Sequence, residues 1–194
     1  MLPSIIRSLI LLAFAVLLSA ATYQGRLLPE SFVEYHASDG LSRWSGRAPI
    51  GSLQFSFDDD KLSGSSLVVV VEPERFDSGN FILDAQARSS VFNTARYPTI
   101  TFTATRISAD PDNLPSGATR QLVISGTLAM HGVERSLEVP VTVSRAGDTF
   151  VASGEFSVLL SDFGMTRPGF LMLVVADLVE VNFTIRGELT PLAP

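Results

Sequence analysis

Few side chains in this chain of 194 residues could carry catalysis or hold a metal ion. The sequence has no cysteine and only two histidines, His36 and His131. It also lacks the G-x-S-x-G turn of serine hydrolases, a glycine-rich phosphate loop and the H-E-x-x-H pair of zinc proteases. Ser161-Asp162 has no histidine near it in sequence, so nothing there supports a catalytic triad. We therefore predict a protein that is not an enzyme and that uses no cofactor and no metal.

The remaining polar candidates have structural interpretations. Asp58-Asp59-Asp60 lacks the D-x-D-x-D-G spacing and the distal glutamate of a calcium loop, which favours a solvated turn. For each histidine we favour a hydrogen-bonded position at the end of a strand. An enzyme that uses His36 or His131 on a hydrophobic substrate is kept as an alternative hypothesis.

Composition narrows the class of protein further. The formal net charge is −6, and an acidic chain is a poor ligand for nucleic acid, whose phosphates require clustered Lys and Arg. Hydrophobic residues make up 46% and charged residues only 18% of the chain, which is typical of a folded domain rather than a disordered segment. The length predicts one domain with a substantial core. The absence of cysteine means that disulfides do not stabilise it.

The first 21 residues have the pattern of a secretory signal peptide. Arg7 precedes an apolar run from Leu9 to Leu18, and small residues follow at Ser19-Ala20-Ala21. The run is shorter than the roughly 20 residues that span a bilayer, which argues against a permanent membrane anchor. We predict cleavage after Ala21, an exported protein, and one folded domain over residues 22–194.

The rest of the chain alternates with the period of β-strands. In Thr99–Arg106, Ile100, Phe102 and Ala104 face one way and polar residues face the other, as in a strand with one buried face. The same period occurs around residues 53–57, 122–130, 137–143, 150–156 and 179–185, and a short strand is expected at 32–36. Leu67–Val71 is a continuous apolar run, which predicts a strand covered on both faces. A helix is expected only within Ser78–Thr94.

About eight strands joined by short turns predict an all-β fold with a single antiparallel barrel, because closure removes exposed strand edges. A barrel of that size can be filled by its own side chains or can hold one slender ligand. The inward positions are rich in Phe, Leu, Val and Ile, with small residues such as Gly126, Ala152 and Gly154 between them. Periodicity alone does not distinguish a hydrophobic cavity from a solid core.

Three segments resemble the YceI-like family in order and spacing. Leu83–Phe102 resembles the family's helix followed by a phenylalanine, a basic-Tyr-Pro triplet and I-x-F. Ser125–Arg135 resembles its G-x-L-T-I-H-G-V-T-R turn, and Ser161–Met165 resembles its R-S-D-F-G-M segment. The chain departs from the pattern at Ala129, where the family has threonine, and at Leu160, where it has arginine.

The resemblance implies a lipocalin-like barrel around an apolar tunnel that binds polyisoprenoids or other long-chain amphiphilic lipids. Similar proteins are mostly exported to the bacterial periplasm, so this protein is expected to be periplasmic or secreted. No catalytic activity defines the family. The expected partner is therefore a lipid, and a transient contact with a membrane is compatible with that role.

Binding is expected to rest on burial, since each methylene moved from water into an apolar tunnel contributes about 0.8 kcal/mol. Arg88 and Arg96 are candidates for the mouth of the tunnel, because arginine pairs well with phosphate or carboxylate. Apolar residues that face inward by their period are the candidates for the lining: Phe55, Ile100, Phe102, Leu128, Phe156, Met165 and Phe183. A solid barrel that serves as an interaction or stress-response module without a lipid is the second alternative.

Overall fold

The computed structural model describes residues 22–170 and 173–192. The predicted signal peptide, residues 1–21, lies outside the described residues. The strands of the described residues lie between Thr22 and Pro191.

The described chain is mostly β-structure, which confirms the predicted fold class. Short 3₁₀ turns occur at Leu62–Gly64, Pro73–Arg75 and Leu160–Phe163. Within the described residues the strands are β1 (Thr22–Leu27), β2 (Phe32–Ser38), β3 (Arg43–Asp58), β4 (Ser66–Val71), β5 (Ile100–Ala109), β6 (Thr119–Met130), β7 (Val133–Ala146), β8 (Thr149–Leu159), β9 (Gly169–Phe170), β10 (Leu173–Val174) and β11 (Leu178–Pro191).

Eight antiparallel strands, β2 to β8 and β11, close into a barrel. Each strand from β2 to β8 pairs with the next along the chain, and β11 closes the barrel by pairing with both β8 and β2. Strand β1 is additional: it pairs with the carboxyl-terminal parts of β3 and β11, beyond the region where β2 pairs with the same two strands. β1 and β2 thus occupy successive parts of one position in the barrel.

The alternating pattern of the sequence places one face of each strand inside the barrel. In β4, Leu67, Val69 and Val71 face the interior, whereas Val68 and Val70 are half-buried on the other face. The expectation that this run is shielded on both faces is therefore met in part. No helix of the described residues has the length and hydropathy that crossing a bilayer requires.

Five strand glycines lie beneath aromatic rings from a neighbouring strand. Rings of Phe55, Tyr35, Phe102, Phe183 and Phe150 occupy the space that a side chain would take at, respectively, Gly25, Gly46, Gly126, Gly154 and Gly187. A ring that lies over a glycine adds apolar area to the interior and shields a strand position that has no side chain. The small inward residues of the sequence thus accommodate its large ones.

Gly154→Ala is expected to lower the free energy of unfolding by about 1–3 kcal/mol, the usual cost of overpacking. A methyl group there would lie 2.4 Å from the carbonyl oxygen of Pro140 and 2.7 Å from the Phe183 ring. The ring can turn aside, but the carbonyl belongs to the paired strand β7 and cannot move without disturbing that pairing. Urea unfolding followed by circular dichroism measures the change. Ser153→Ala, at the preceding position in β8, is the control. If the two variants have the same free energy of unfolding, overpacking at Gly154 is not the cause.

One helical segment follows β4, within the predicted range 78–94. Helix α1 (Phe81–Gln86) continues directly into a π-helical turn at Ala87–Val91. Asn80 caps its first turn, since Oδ1 accepts hydrogen bonds from the backbone N–H groups of Ile82 and Leu83 at 3.1 and 3.3 Å. The helical segment contributes Leu83, Ala87 and Val91 to the lining of the barrel interior.

Candidate functional site

An apolar cavity of about 270 Å³ occupies the barrel interior. Its walls are the inner faces of the barrel strands together with one face of the helical segment, and no charged residue of the described chain lines it. The lining residues that carry a polar side-chain group are Ser65, Gln86, Tyr35 and Trp44. Such a wall favours the hydrocarbon part of a ligand and offers few directional contacts.

One end of the barrel is closed. Phe57, Leu62 and Leu114 are buried there and line the cavity floor. Arg145 is buried beside them, where its guanidinium donates to Asp59 Oδ2 at 3.0 Å and to the Leu114 carbonyl at 3.2 Å. Desolvation lowers the pKa of Arg145, but its hydrogen bonds to Asp59 and Tyr23 outweigh that effect and hold the pKa above its ordinary value. At the closed end, apolar side chains thus line the cavity and cover the hydrogen bonds that Arg145 makes with Asp59 and Leu114.

The opposite end is the mouth of the cavity. The lining residues at this end come from the β2–β3 hairpin, the helical segment and the segment after β8, and all retain contact with solvent: Trp44, Leu83, Gln86, Ala87, Pro168 and Val175. A backbone hydrogen bond from Ala176 N–H to the Ser38 carbonyl, 2.7 Å long, joins two of these segments. The helical segment and these two loops therefore frame the open end of the cavity.

Asp84 and Ser78 form a hydrogen-bonded pair at the start of the helical segment. Asp84 is buried on the helix, and its Oδ1 accepts from the Ser78 hydroxyl at 2.6 Å and the Ser78 N–H at 3.0 Å. Burial first, and the charge of Asp84 second, raise the pKa of Tyr35 to about 12. The Tyr35 phenol, which lines the cavity, is consequently neutral at physiological pH and can donate a hydrogen bond.

Of the apolar residues predicted to form the lining, six line the cavity: Phe55, Ile100, Phe102, Leu128, Phe156 and Phe183. Met165 is buried instead in a core cluster with Leu160, Phe163 and Val179, and it does not line the cavity. Position in the wall is the structural finding, and contact with a ligand stays a prediction.

The two arginines proposed for the mouth do not line the cavity. Arg88 donates from Nη2 to the Phe76 carbonyl at 3.2 Å, and its Nε lies 3.8 Å from Glu74 Oε1. Arg96 is exposed, and its guanidinium carbon lies 5.2 Å from the centre of the Tyr97 ring. Their role in holding a headgroup remains a prediction.

Gln86 is a mouth residue that the sequence analysis missed. It lies on the helix between Leu83 and Ala87, which both line the cavity. The spacing of Leu83, Ala87 and Val91 at four-residue intervals marks the inward face of the helical segment and was the signal available in the sequence. An exposed amide next to that face is well placed to meet the polar end of a ligand.

Both histidines have structural partners and lie outside the cavity wall. His131 follows the end of β6, as we predicted, whereas His36 lies within β2 and not at its end. His36 Nε2 lies 3.1 Å from the Asn182 side-chain nitrogen. His131, in the β6–β7 turn with φ 54°, has Nδ1 at 3.1 Å from the Phe163 carbonyl, so Nδ1 carries the hydrogen. Within the described residues, no group of three His, Asp or Glu side chains could hold a metal ion.

Ser161 and the aspartate triplet are also structural. The Ser161 hydroxyl and N–H donate to Asp177 at 2.6 and 2.8 Å, and these hydrogen bonds hold the pKa of Asp177 below its ordinary value. Asp58 Oδ1 accepts from the N–H groups of Asp60 and Lys61, both at 3.0 Å, as in the turn that the sequence predicted. Neither segment carries a catalytic arrangement.

The sequence of this chain is similar to one protein family and to several known proteins. The YceI-like domain matches residues 29–187. A UPF0312 protein of Vibrio vulnificus is 28% identical over 149 residues, which are 76% of this chain and 69% of that protein. Protein YceI of Escherichia coli is 30% identical over 95 residues, which are 48% of this chain and 46% of that protein.

Solved structures share the fold. BcnA of Burkholderia cenocepacia superimposes with a TM-score of 0.69 at 24% identity, over 80% of this chain and 95% of that one. A polyisoprenoid binding domain from Saccharophagus degradans, implicated in plant cell wall breakdown, has a TM-score of 0.67 at 16% identity, over 89% of this chain and all of that one. With the domain match over most of its length, the chain belongs to the YceI-like domain family.

Proposed function

We propose that this protein is an exported, non-enzymatic binding protein that holds a long-chain polyisoprenoid or a similar amphiphilic lipid in its barrel. The observation that carries the proposal is the cavity, which is closed at one end, open at the other and free of charged residues in its wall. The polyisoprenoid binding domain with the same fold supports the ligand class. The signal-peptide pattern of residues 1–21 supports export to the periplasm or beyond.

The shape of the cavity favours a particular way of binding. A volume of about 270 Å³ lies near the lower end of the range of small-molecule pockets, which suits one slender hydrocarbon tail. The tail would lie against Phe102, Phe156 and Phe183, and each buried methylene would contribute about 0.8 kcal/mol. The polar end would remain at the mouth beside Gln86.

Native mass spectrometry of the domain, stripped by organic extraction and then reloaded with a polyprenol, tests this function. We expect one polyprenol per barrel, retained by the variants His36→Ala and His131→Ala because neither histidine lines the cavity. A folded barrel that takes up no polyprenol at excess would contradict the proposal and favour an interaction module. Loss of binding in either histidine variant with the fold intact would also contradict it.

A further inference from the structure

Exposed large apolar side chains of the described residues are concentrated at the mouth end of the barrel. Leu41 is 81% exposed, Phe81 80% and Ile82 63%. Of eight such side chains, six lie at this end: Leu41, Phe81, Ile82, Leu159, Val174 and Leu178. The other two, Val123 on β6 and Leu192 after β11, lie elsewhere. Single exposed apolar residues are ordinary on a protein surface, but a concentration of them around one opening indicates a surface that binds something.

These six side chains, which we call the apolar rim, belong to the segments that frame the mouth. Leu41 is at the tip of the β2–β3 hairpin, Phe81 and Ile82 begin helix α1, and Val174 is in β10. Leu159 and Leu178 are directly opposite each other where β8 ends and β11 begins. The backbone hydrogen bond between Ala176 and Ser38 ties the hairpin to the β10 segment. None of the six lines the cavity itself, and Leu159 and Leu178 border a separate small recess beside β7, so the rim surrounds the mouth from outside the cavity wall.

We propose that the apolar rim inserts into the interfacial layer of a lipid bilayer, so that the cavity mouth opens onto the membrane. This rests on the proposed function, since a cavity for a lipid tail is what makes a bilayer the fitting partner. A ligand that moves between bilayer and cavity through a rim embedded in the membrane keeps its hydrocarbon tail out of water. A rim left in water would instead require the tail to cross solvent, at a cost of about 0.8 kcal/mol per exposed methylene.

The charges near the rim indicate that this attachment is apolar rather than electrostatic. Close in sequence to the rim residues, Arg43 and Arg167 are cationic, whereas Asp39, Asp162 and Asp177 are anionic, and Arg167 Nε lies 3.9 Å from Asp177 Oδ1. The whole chain has a formal net charge of −6. Attraction to anionic lipids requires clustered Lys and Arg near the surface, whereas the charges that the structure describes beside the rim are of both signs. We therefore expect the protein to bind neutral vesicles at least as well as anionic ones.

Vesicle flotation tests the proposal, using a chain that begins at Thr22, because the apolar run at residues 9–18 would itself enter lipid. This chain contains every strand of the barrel. The vesicles are pure phosphatidylcholine or phosphatidylcholine with phosphatidylglycerol. We expect the double variant Phe81→Ser/Ile82→Ser to lower the partition coefficient about tenfold or more, since two large apolar side chains lose their burial. Val123→Ser, a 40% exposed residue away from the mouth, is the matched control and should bind like the unaltered chain.

The outcomes separate docking from ligand binding. Loading with polyprenol in detergent solution, followed by native mass spectrometry, reports on the cavity alone and should be unchanged in the double variant. No binding of the unaltered chain to either vesicle would overturn the docking proposal while leaving the cavity function standing. Equal loss in Val123→Ser would overturn it too, as would a dimer in solution that depends on Phe81 and Ile82 without vesicle binding. Failure of polyprenol loading in the unaltered chain would instead refute the proposed function.

Discussion

Replacing Ala152 with tryptophan is expected to weaken polyprenol binding about fiftyfold while the barrel stays folded. Ala152 lies in the cavity wall on β8, between Phe150 and Phe156 on the same face. The indole ring would occupy space that the ligand tail needs. If it displaces about three methylenes, the lost burial is about 2.4 kcal/mol, which corresponds to about fiftyfold in Kd.

A matched variant separates loss of cavity space from the addition of a large side chain. Glu155 lies on the same strand with its side chain exposed on the outer face, so Glu155→Trp adds the same ring outside the barrel. Titration with a polyprenol, followed by intrinsic fluorescence and checked by native mass spectrometry, gives the two dissociation constants. Equal affinity in both variants would mean that the ligand does not occupy the interior beside Ala152. Thermal unfolding of each variant shows that the barrel remains intact.

The residues of the wall could largely be predicted from the sequence because a β-strand has a simple period. When every second residue faces inward, Ile100 and Phe102 on β5 can be assigned to one face from their spacing alone. Closure was also predictable, since about eight antiparallel strands need partners for their edges. The pairing of β8 with β11, which closes the barrel, is therefore the arrangement that the strand count favours.

Strand β1 was missed because its alternation is short and has a glycine at its central inward position. It reads Thr-Tyr-Gln-Gly-Arg-Leu, and Gly25 contributes no side chain to the interior position that it occupies. The ring of Phe55, thirty residues further along the chain, fills that position. The inward position at Gly25 is filled by a residue of β3, so the sequence of β1 alone does not show that this position is buried.

Met165 shows where the period stops being informative. It follows the 3₁₀ turn Leu160–Phe163 and Gly164, whose φ is +61°, so the alternation of β8 does not continue to it. The side chain consequently packs in the cluster beneath the turn and not in the cavity wall. Arg88 shows a second reason why a site residue was misassigned. Its partners, the Phe76 carbonyl and the Glu74 carboxylate, belong to the segment before the helix, and the sequence does not specify the path of that segment.

Arg145 is the residue whose burial the sequence concealed most completely. Ser-Arg-Ala before Gly147 has the character of an exposed turn, yet the Arg145 side chain is only 5% exposed. Its acceptors are far away in sequence: Asp59 lies 86 residues before it and the Leu114 carbonyl 31 residues before it. The guanidinium also lies over the ring of Tyr23, 4.6 Å from its centre. Arg145 thereby joins β1, the β3–β4 turn, the β5–β6 loop and β7 at the closed end.

Arg145→Met is accordingly expected to lower the free energy of unfolding by about 3–5 kcal/mol, the usual cost of removing one partner of a buried ion pair. Methionine keeps much of the apolar stem but removes the donor of the Leu114 and Gly147 carbonyls. Asp59 loses its cation and keeps only the hydrogen bond from the Tyr23 hydroxyl, 3.3 Å long. Adding Asp59→Asn should recover part of the loss, because the unpaired carboxylate is then gone. Urea unfolding at neutral pH measures the difference in midpoint and slope.

The matched control is Arg26→Met, which removes the ion pair between Arg26 and Glu188 on the exterior. Both of those side chains are well exposed, so solvent screening limits their contribution to at most about 1 kcal/mol. The contrast between the two arginines therefore isolates the effect of burial from that of charge pairing. If Arg145→Met costs no more than Arg26→Met, the closed end is held by Phe57, Leu62 and Leu114 alone. In that case the folded fraction of Arg145→Met should take up polyprenol as the unaltered protein does. If the loss of Arg145 opens the floor of the cavity instead, the bound polyprenol should dissociate faster than from the unaltered protein.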